Sequence, residues 1–449
     1  MAAGEHDRRV LAPRHRYYAG AIVAALVGIF IAMNVPAVLG GAGQRAKAPI
    51  RVGVLHSLTG TMAVSERPVA EATLFAIAEL NRAGGVLGRP VEPILVDGAS
   101  DWDVFAREAE TLIVDKKVSA VFGCWTSACR KTVKPIFEAH DHVLFYPVQY
   151  EGLEQSPNIV YTGAAPNQQI IPATKWALDN LGRRIFVVGS DYVFPRTAGA
   201  IVRAQVAALN GEVVAEAYRP LGSTDFAAVA EEIKATRPDV VFNTINGDSN
   251  IAFYKALRAA GVTPDAIPVM SFSLAESEVR AIGPELVQGD YAARNYFQSV
   301  ATAENQAFKA GFRGRYGAAA QTTAPMEAAY FGVRLWAQAV AEAESDLYRD
   351  YRARLLGQSL KAPSGIIYLD PITQHTWRPV LIGRVRGDGD FDIVWSSGRP
   401  VRPIPFPGLR SRQEWQGFLQ AMFYGWGGSW AAPGPVAGSS PAAAGEARP

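Results

Sequence analysis

The chain has 449 residues, 44 of them Lys or Arg against 42 Asp or Glu, with 49% hydrophobic and 19% charged residues. That length predicts two or three domains. The near balance of charge, with no basic stripe interleaved with aromatics, argues against a nucleic-acid partner. Two cysteines exclude a disulfide scaffold, an iron–sulfur cluster and a zinc site built from cysteine alone.

In chain order, the first feature is a basic start, Arg8, Arg9, Arg14 and Arg16, ahead of an uncharged stretch from Ala19 to Gly43. Small residues, Gly41-Ala-Gly43, close it. Residues 1–44 therefore read as an export signal, or as a retained membrane anchor through 19–43 if uncut. With the arginines on the cytoplasmic side, both readings put the remainder in the periplasm or on the outer face of the inner membrane. No cysteine follows the apolar run to accept a lipid.

From Ile50 onward short apolar runs alternate with helix-period stretches. Strands are predicted at Ile50–His56, Pro93–Val96, Ser119–Phe122, His142–Tyr146, Ile159–Thr162, Arg184–Val188, Val213–Ala217, Asp239–Phe242 and Ile267–Met270. Helices are predicted at Val69–Arg82, Phe105–Lys116, Arg130–Ala139, Asn167–Leu181, Phe226–Thr236, Asn305–Tyr316 and Met326–Glu344. This βαβα rhythm predicts an α/β fold of parallel sheets covered by helices on both faces. The series is too long for one sheet. The interruption at Glu151–Gln168 and a new helical block after Asn295 place lobe 1 at 50–165 and 295–365, and lobe 2 at 166–294 and 366–407. Short strands are expected at Ile366–Leu369, Val380–Arg386 and Phe391–Trp395, and residues 425–449, rich in Gly, Ala, Ser and Pro, are expected to be a disordered tail.

Ligands of open parallel sheets sit beyond the carboxyl ends of the strands, which selects four loops. The first carries Trp125, a flat wall for a small ligand, and Ser127, which is placed to cap the next helix. The second brings together Tyr146, Gln149 and Tyr150, the third carries Asp191 and Tyr192, and in the fourth Asp248 caps the following helix. Each residue also has a plain structural reading: Ser127 and Asp248 as caps alone, Trp125 and Tyr146 as core aromatics, Asp191 as a surface residue. Enzyme signatures are thin. The six histidines lack HExxH spacing, and there is no phosphate-binding loop, GxGxxG or GxSxG. No nucleophile sits with a base, so no catalytic residue, metal or cofactor is expected. Cys124 reads as a small buried residue and Cys129 as helical, with a spacing that does not favour a disulfide.

Six long segments carry a family resemblance: Gly123-Cys-Trp-Thr-Ser127, Phe145-Tyr-Pro-Val-Gln-Tyr-Glu-Gly-Leu-Glu154, Ser156 to Gln169, Gly189-Ser-Asp-Tyr-Val-Phe-Pro-Arg-Thr197, Phe242-Asn-Thr-Ile-Asn-Gly-Asp-Ser-Asn250 and Pro325-Met-Glu-Ala-Ala-Tyr330. From Ile50 to Pro407 the chain resembles the urea-binding proteins of bacterial ABC importers, within the type I periplasmic binding family; the amide sensor of the amidase operon is a more distant relative. The resemblance implies two Rossmann-like lobes joined by a three-strand hinge, closing on a small amide. It implies ligand contacts from Trp125, Ser127, Tyr146, Gln149 and Tyr150 in one lobe and from Asp191, Tyr192 and Asp248 in the other, with ABC permease subunits as partners. Trp125 and Asp248 are similar to the urea type, where the amide sensor carries Tyr and Thr.

Urea offers four N–H donors and one carbonyl acceptor, so its site needs several acceptors, such as Asp248 and the tyrosine hydroxyls, and a donor such as Ser127. Its four heavy atoms at a ceiling of about −1.5 kcal/mol each give roughly tens of micromolar. A membrane-anchored or soluble amide sensor acting through a partner is the alternative reading.

Overall fold

Strands buried on both faces read as unbroken apolar runs, and the first of them, Ile50-Arg-Val-Gly-Val-Leu-His56, is buried at every position but Arg51. A computed structural model describes residues 48–433; the expected signal or anchor at 1–44 lies outside the described residues. In chain order the elements are β1 (Ile50–His56), α1 (Ala63–Arg82), β2 (Val91–Asp97), α2 (Trp102–Val114), β3 (Val121–Gly123), α3 (Ser127–Ala139), β4 (Leu144–Tyr146) and β5 (Ile159–Tyr161). These five strands form one parallel sheet in the order β2-β1-β3-β4-β5. Next come α4 (Ile170–Asn180), β6 (Arg184–Ser190), α5 (Val193–Ala208), β7 (Glu212–Arg219), α6 (Ala227–Thr236), β8 (Val240–Thr244), α7 (Ser249–Ala259), β9 (Val269–Ser271), α8 (Glu276–Ile282), α9 (Pro284–Val287) and β10 (Tyr291–Arg294).

The chain then returns to the first sheet with α10 (Ala303–Tyr316), α11 (Ala324–Ala343) and α12 (Tyr348–Leu355), whose Phe308, Phe312, Trp336 and Tyr351 join the core of Val54, Phe75 and Phe122. A three-stranded antiparallel sheet follows, β11 (Ser359–Ala362), β12 (Gly365–Leu369) and β13 (Thr376–Trp377). Ile367 and Leu369 of β12 pack into that same first core. Finally β14 (Leu381–Val385) and β15 (Phe391–Ser396) add antiparallel to β10, giving the second sheet the order β15-β14-β10-β9-β8-β6-β7. The fold is thus α/β with two lobes, and the chain passes between them after β5, after β10 and after β13.

The expected tail begins too early. Residues 425–433 are fastened: α13 (Arg412–Gly425) buries Trp415 and Leu419 against the second lobe, the Val193 amide donates to the Trp430 carbonyl at 2.9 Å, and Ala431 pairs with Tyr192. The aromatics Trp415, Phe423 and Trp430 supply burial that a count of Gly, Ala and Pro overlooks. Residues 434–449 lie outside the described residues. Among the described residues no helix is long and apolar enough to cross a membrane.

Candidate functional site

Each parallel sheet has a point where the strand order reverses, and crevices open there beyond the carboxyl ends. In the first sheet this is between β1 and β3, in the second between β6 and β8. The loops after these four strands, with the loop after β4, carry all eight candidate residues. Trp125, Gln149 and Asp248 make contacts across the lobes, and Tyr192 joins them through Asn246. The Trp125 indole Nε1 donates to Asn246 Oδ1 at 3.5 Å, and the Asn246 amide donates to the Tyr192 hydroxyl at 2.9 Å. Gln149 Nε2 donates to the Phe272 carbonyl at 3.0 Å. The Asp248 amide donates to the Thr61 carbonyl at 3.1 Å, and the Thr61 hydroxyl donates to the Asp248 carboxylate.

Gly247 makes the last contact possible. Its φ is +67°, and a Cβ there would lie 2.6 Å from the Thr61 carbonyl oxygen. Only glycine accepts both the left-handed backbone and that approach.

Trp125 and Tyr146 are buried, and the Tyr146 hydroxyl donates to the Trp125 carbonyl at 2.5 Å, which holds the indole's backbone in place. Behind them lies a charged cluster that sequence reading did not assemble. The Arg130 Nε donates to Glu154 at 2.8 Å, its Nη1 to the Ser127 hydroxyl at 3.0 Å and its Nη2 to Glu151 at 3.2 Å. Lys131 reaches Glu154 at 3.0 Å, and the Tyr161 hydroxyl donates to the same carboxylate at 3.0 Å. The guanidinium also stacks over Tyr146 and Tyr150, 4.8 and 4.3 Å from the ring centroids. Burial alone would raise the Glu154 carboxyl and lower the arginine, but Arg130 and Lys131 hold Glu154 well below the usual carboxylate range, and Glu154 and Glu151 raise Arg130. Such a cluster is stable only when every charge is matched, as here.

Next to it the Tyr150 hydroxyl sits 2.5 Å from His375 Nε2, while His375 Nδ1 is 2.6 Å from the Thr373 carbonyl. A carbonyl can only accept, so Nδ1 carries the proton; Nε2, which burial leaves unprotonated, accepts from the Tyr150 hydroxyl, which also lies 3.2 Å from the Glu154 carbonyl. Burial pulls the His375 pKa down to about 4.

Several expectations change against this geometry. Thr126, not Ser127, caps α3, accepting from the Cys129 amide at 3.1 Å. Ser127 is the first helical residue, and its hydroxyl is engaged by Glu151 and Arg130. Asp248 stands at the start of α7 but its side chain makes no cap bond, because it is exposed and turned to Thr61. Asp191 binds Arg196 through two bonds of 2.7 and 2.9 Å and is a partner of that guanidinium. Tyr150 is a buried neighbour of Tyr161 and His375.

Cys124 and Cys129 form a disulfide with Cα atoms 5.9 Å apart, where the spacing had argued against one. The left-handed backbone at Cys124, φ 60°, folds the strand end back over the first turn of α3, so the five-residue gap spans a tight corner. Asn246, which bonds both Trp125 and Tyr192, is the residue at this contact that the sequence reading passed over; it lay within Asn243-Thr-Ile-Asn-Gly-Asp248, overshadowed by the aspartate. Among the described residues no group of His, Cys, Asp and Glu is arranged to hold a metal ion.

A sequence model of the periplasmic binding protein domain matches residues 50–412. The chain belongs to the periplasmic binding protein domain family. This periplasmic binding protein is 24% identical over 392 residues to Leu/Ile/Val-binding protein homolog 6 of Brucella melitensis, covering 85% of this chain and 99% of that protein. It is similar in structure, TM-score 0.72 and 26% identity, to a solute-binding protein of an ABC transporter from Rhodopseudomonas palustris HaA2 solved with p-hydroxybenzoic acid, covering 79% of this chain and 98% of the other. A 147-residue stretch is 32% identical to a limonene hydroxylase of Geobacillus stearothermophilus, spanning 31% of this chain and 27% of that protein. The binding protein also has an open cavity of about 710 Å³ lined by Arg237, Asp239, Pro264, Tyr291 and Arg384. That cavity lies at the amino ends of the parallel strands of the second sheet, opposite the edge that carries the candidate residues.

Proposed function

We propose that this periplasmic binding protein captures urea, or a short-chain amide, between its lobes and delivers it unchanged to ABC permease subunits at the outer face of the inner membrane. The observation that supports this most is the character of the groups that meet across the lobes. Trp125, Asn246, Tyr192 and Gln149 are uncharged and together carry both donors and acceptors, the nearby charges of Arg130, Glu151, Glu154 and Asp191 are matched by one another or by Arg196, and the Asp248 carboxylate is exposed and takes the Thr61 hydroxyl. A small neutral solute with several N–H groups suits such walls. An isostere that lacks one N–H leaves a buried acceptor unpaired, which separates urea from acetamide. No nucleophile–base pair faces the loops, so binding and release, without chemistry, is the proposed task.

The test is thermal unfolding of the protein in millimolar urea, well below denaturing concentrations. A ligand that binds only the folded chain raises the melting temperature with its concentration. The expected result is a saturable rise with urea recovered intact. No rise with urea, together with a rise with p-hydroxybenzoic acid, overturns the reading.

A further inference from the structure

An amide site needs a donor for the carbonyl oxygen, and the residue expected to supply it, Ser127, is engaged with Glu151 and Arg130. A second buried arginine has the capacity Ser127 lacks. Arg294 is the last residue of β10, at the carboxyl edge of the second sheet, and only 1% of it is exposed. Its Nε donates to the Leu274 carbonyl at 3.0 Å, while Nη1 and Nη2 have no hydrogen-bond partner among the described residues. The anions that act on it are Glu278 and Glu276 in the first turn of α8.

Glu276 is fully buried; its Oε1 accepts from the Gln298 amide at 2.7 Å and its Oε2 is unpaired among the described residues. Glu278 accepts from the Ser65 hydroxyl of α1, in the other lobe, at 2.6 Å. The cluster therefore lies where the lobes touch. It also shares a loop with the site already described: Phe272, whose carbonyl takes Gln149 and Gln169, is two residues before Leu274.

Buried polar groups are paired in native proteins almost without exception, and an unpaired one calls for an explanation, a bound molecule among them. Here the unpaired set is a planar fork of N–H donors beside a carboxyl oxygen. Charge narrows the occupant. Arg294 is balanced by Glu278, and burial pushes the Glu276 pKa up to about 8, leaving it protonated at neutral pH. If Glu276 loses its proton the cluster turns negative. Neither state welcomes a carboxylate.

We propose that Arg294 is the carbonyl-binding residue of the solute site: its Nη1 and Nη2 groups hold the oxygen of an uncharged amide, whose N–H groups face the Glu278 carboxylate. This rests on the urea reading above. The experiment is calorimetric titration of the protein and its Arg294→Gln and Arg294→Lys variants with urea and, separately, with acetate. Expected are urea binding by the unaltered chain, a loss of roughly tenfold or more in both variants because neither presents the fork, and no acetate binding. Variants that bind urea as well as the parent, or acetate binding tighter than urea, overturn the inference and leave the urea reading standing. A parent chain that fails to bind urea overturns both. If Arg294→Gln does not fold, Arg294→Lys, which keeps the charge, decides.

Discussion

Among the described residues three guanidiniums are buried, those of Arg130, Arg294 and Arg378, and the first two are treated in opposite ways. Arg130 directs all three of its nitrogens to Glu154, Ser127 and Glu151 and lies against two tyrosine rings. Arg294 has one bond, to a backbone carbonyl, and two unpaired nitrogens, so burial drives its pKa down to about 10. The carboxylates around the first raise its affinity for the proton; those around the second do not offset desolvation. A buried charge that is fully matched holds structure together, and one left with unpaired donors has capacity for a ligand.

The largest expected effect breaks the matched side. Glu154→Ala should cost about 3–5 kcal/mol, because Arg130 and Lys131 are then buried without their partner. Guanidinium chloride unfolding measures it, and Arg294→Met in the same assay should cost less, because Glu278 keeps its bonds from the Ser65 and Ser277 hydroxyls. Next is pH. His375 is neutral in the folded chain with a pKa of about 4, against 6.5 for the free side chain. Only the unfolded chain gains this proton between those values, so the contribution is complete above pH 6.5 and lost as pH falls toward 4. The loss is about 3 kcal/mol, and His375→Gln should flatten that part of the stability profile. Gly247→Ala comes third: the Cβ pressed on Thr61 and the left-handed backbone should weaken urea binding by about 1–2 kcal/mol, seen by calorimetry. Asp248→Ala is the smallest. The side chain is exposed and bonded to Thr61, so about 0.5–1 kcal/mol of urea affinity should be lost, less than a buried acceptor would cost.

The sheets were legible because their strands are unbroken apolar runs. Ile50–His56 and Arg184–Ser190 are recognisable from residue type alone, and the loop expected after Arg184–Val188 follows the second of them, carrying Asp191 and Tyr192. What could not be read were pairings that depend on distant parts of the chain. Arg130 meets Glu154 across 24 residues, Ser65 meets Glu278 across 213, and neither pair leaves a local pattern. Asp248 has the sequence of a helix cap, yet the contact of the lobes turns it to Thr61. Trp125 was readable both as a core aromatic and as a ligand wall, and its burial beside Asn246 fits both descriptions.

The central claim, that the lobes take up an uncharged diamide by matching its hydrogen-bonding groups, is tested most directly by calorimetric titration of the protein with urea and acetamide side by side. The account predicts one urea per chain at roughly tens of micromolar, with acetamide about tenfold weaker or more. Acetamide bound as tightly as urea, or no heat with either, would contradict it.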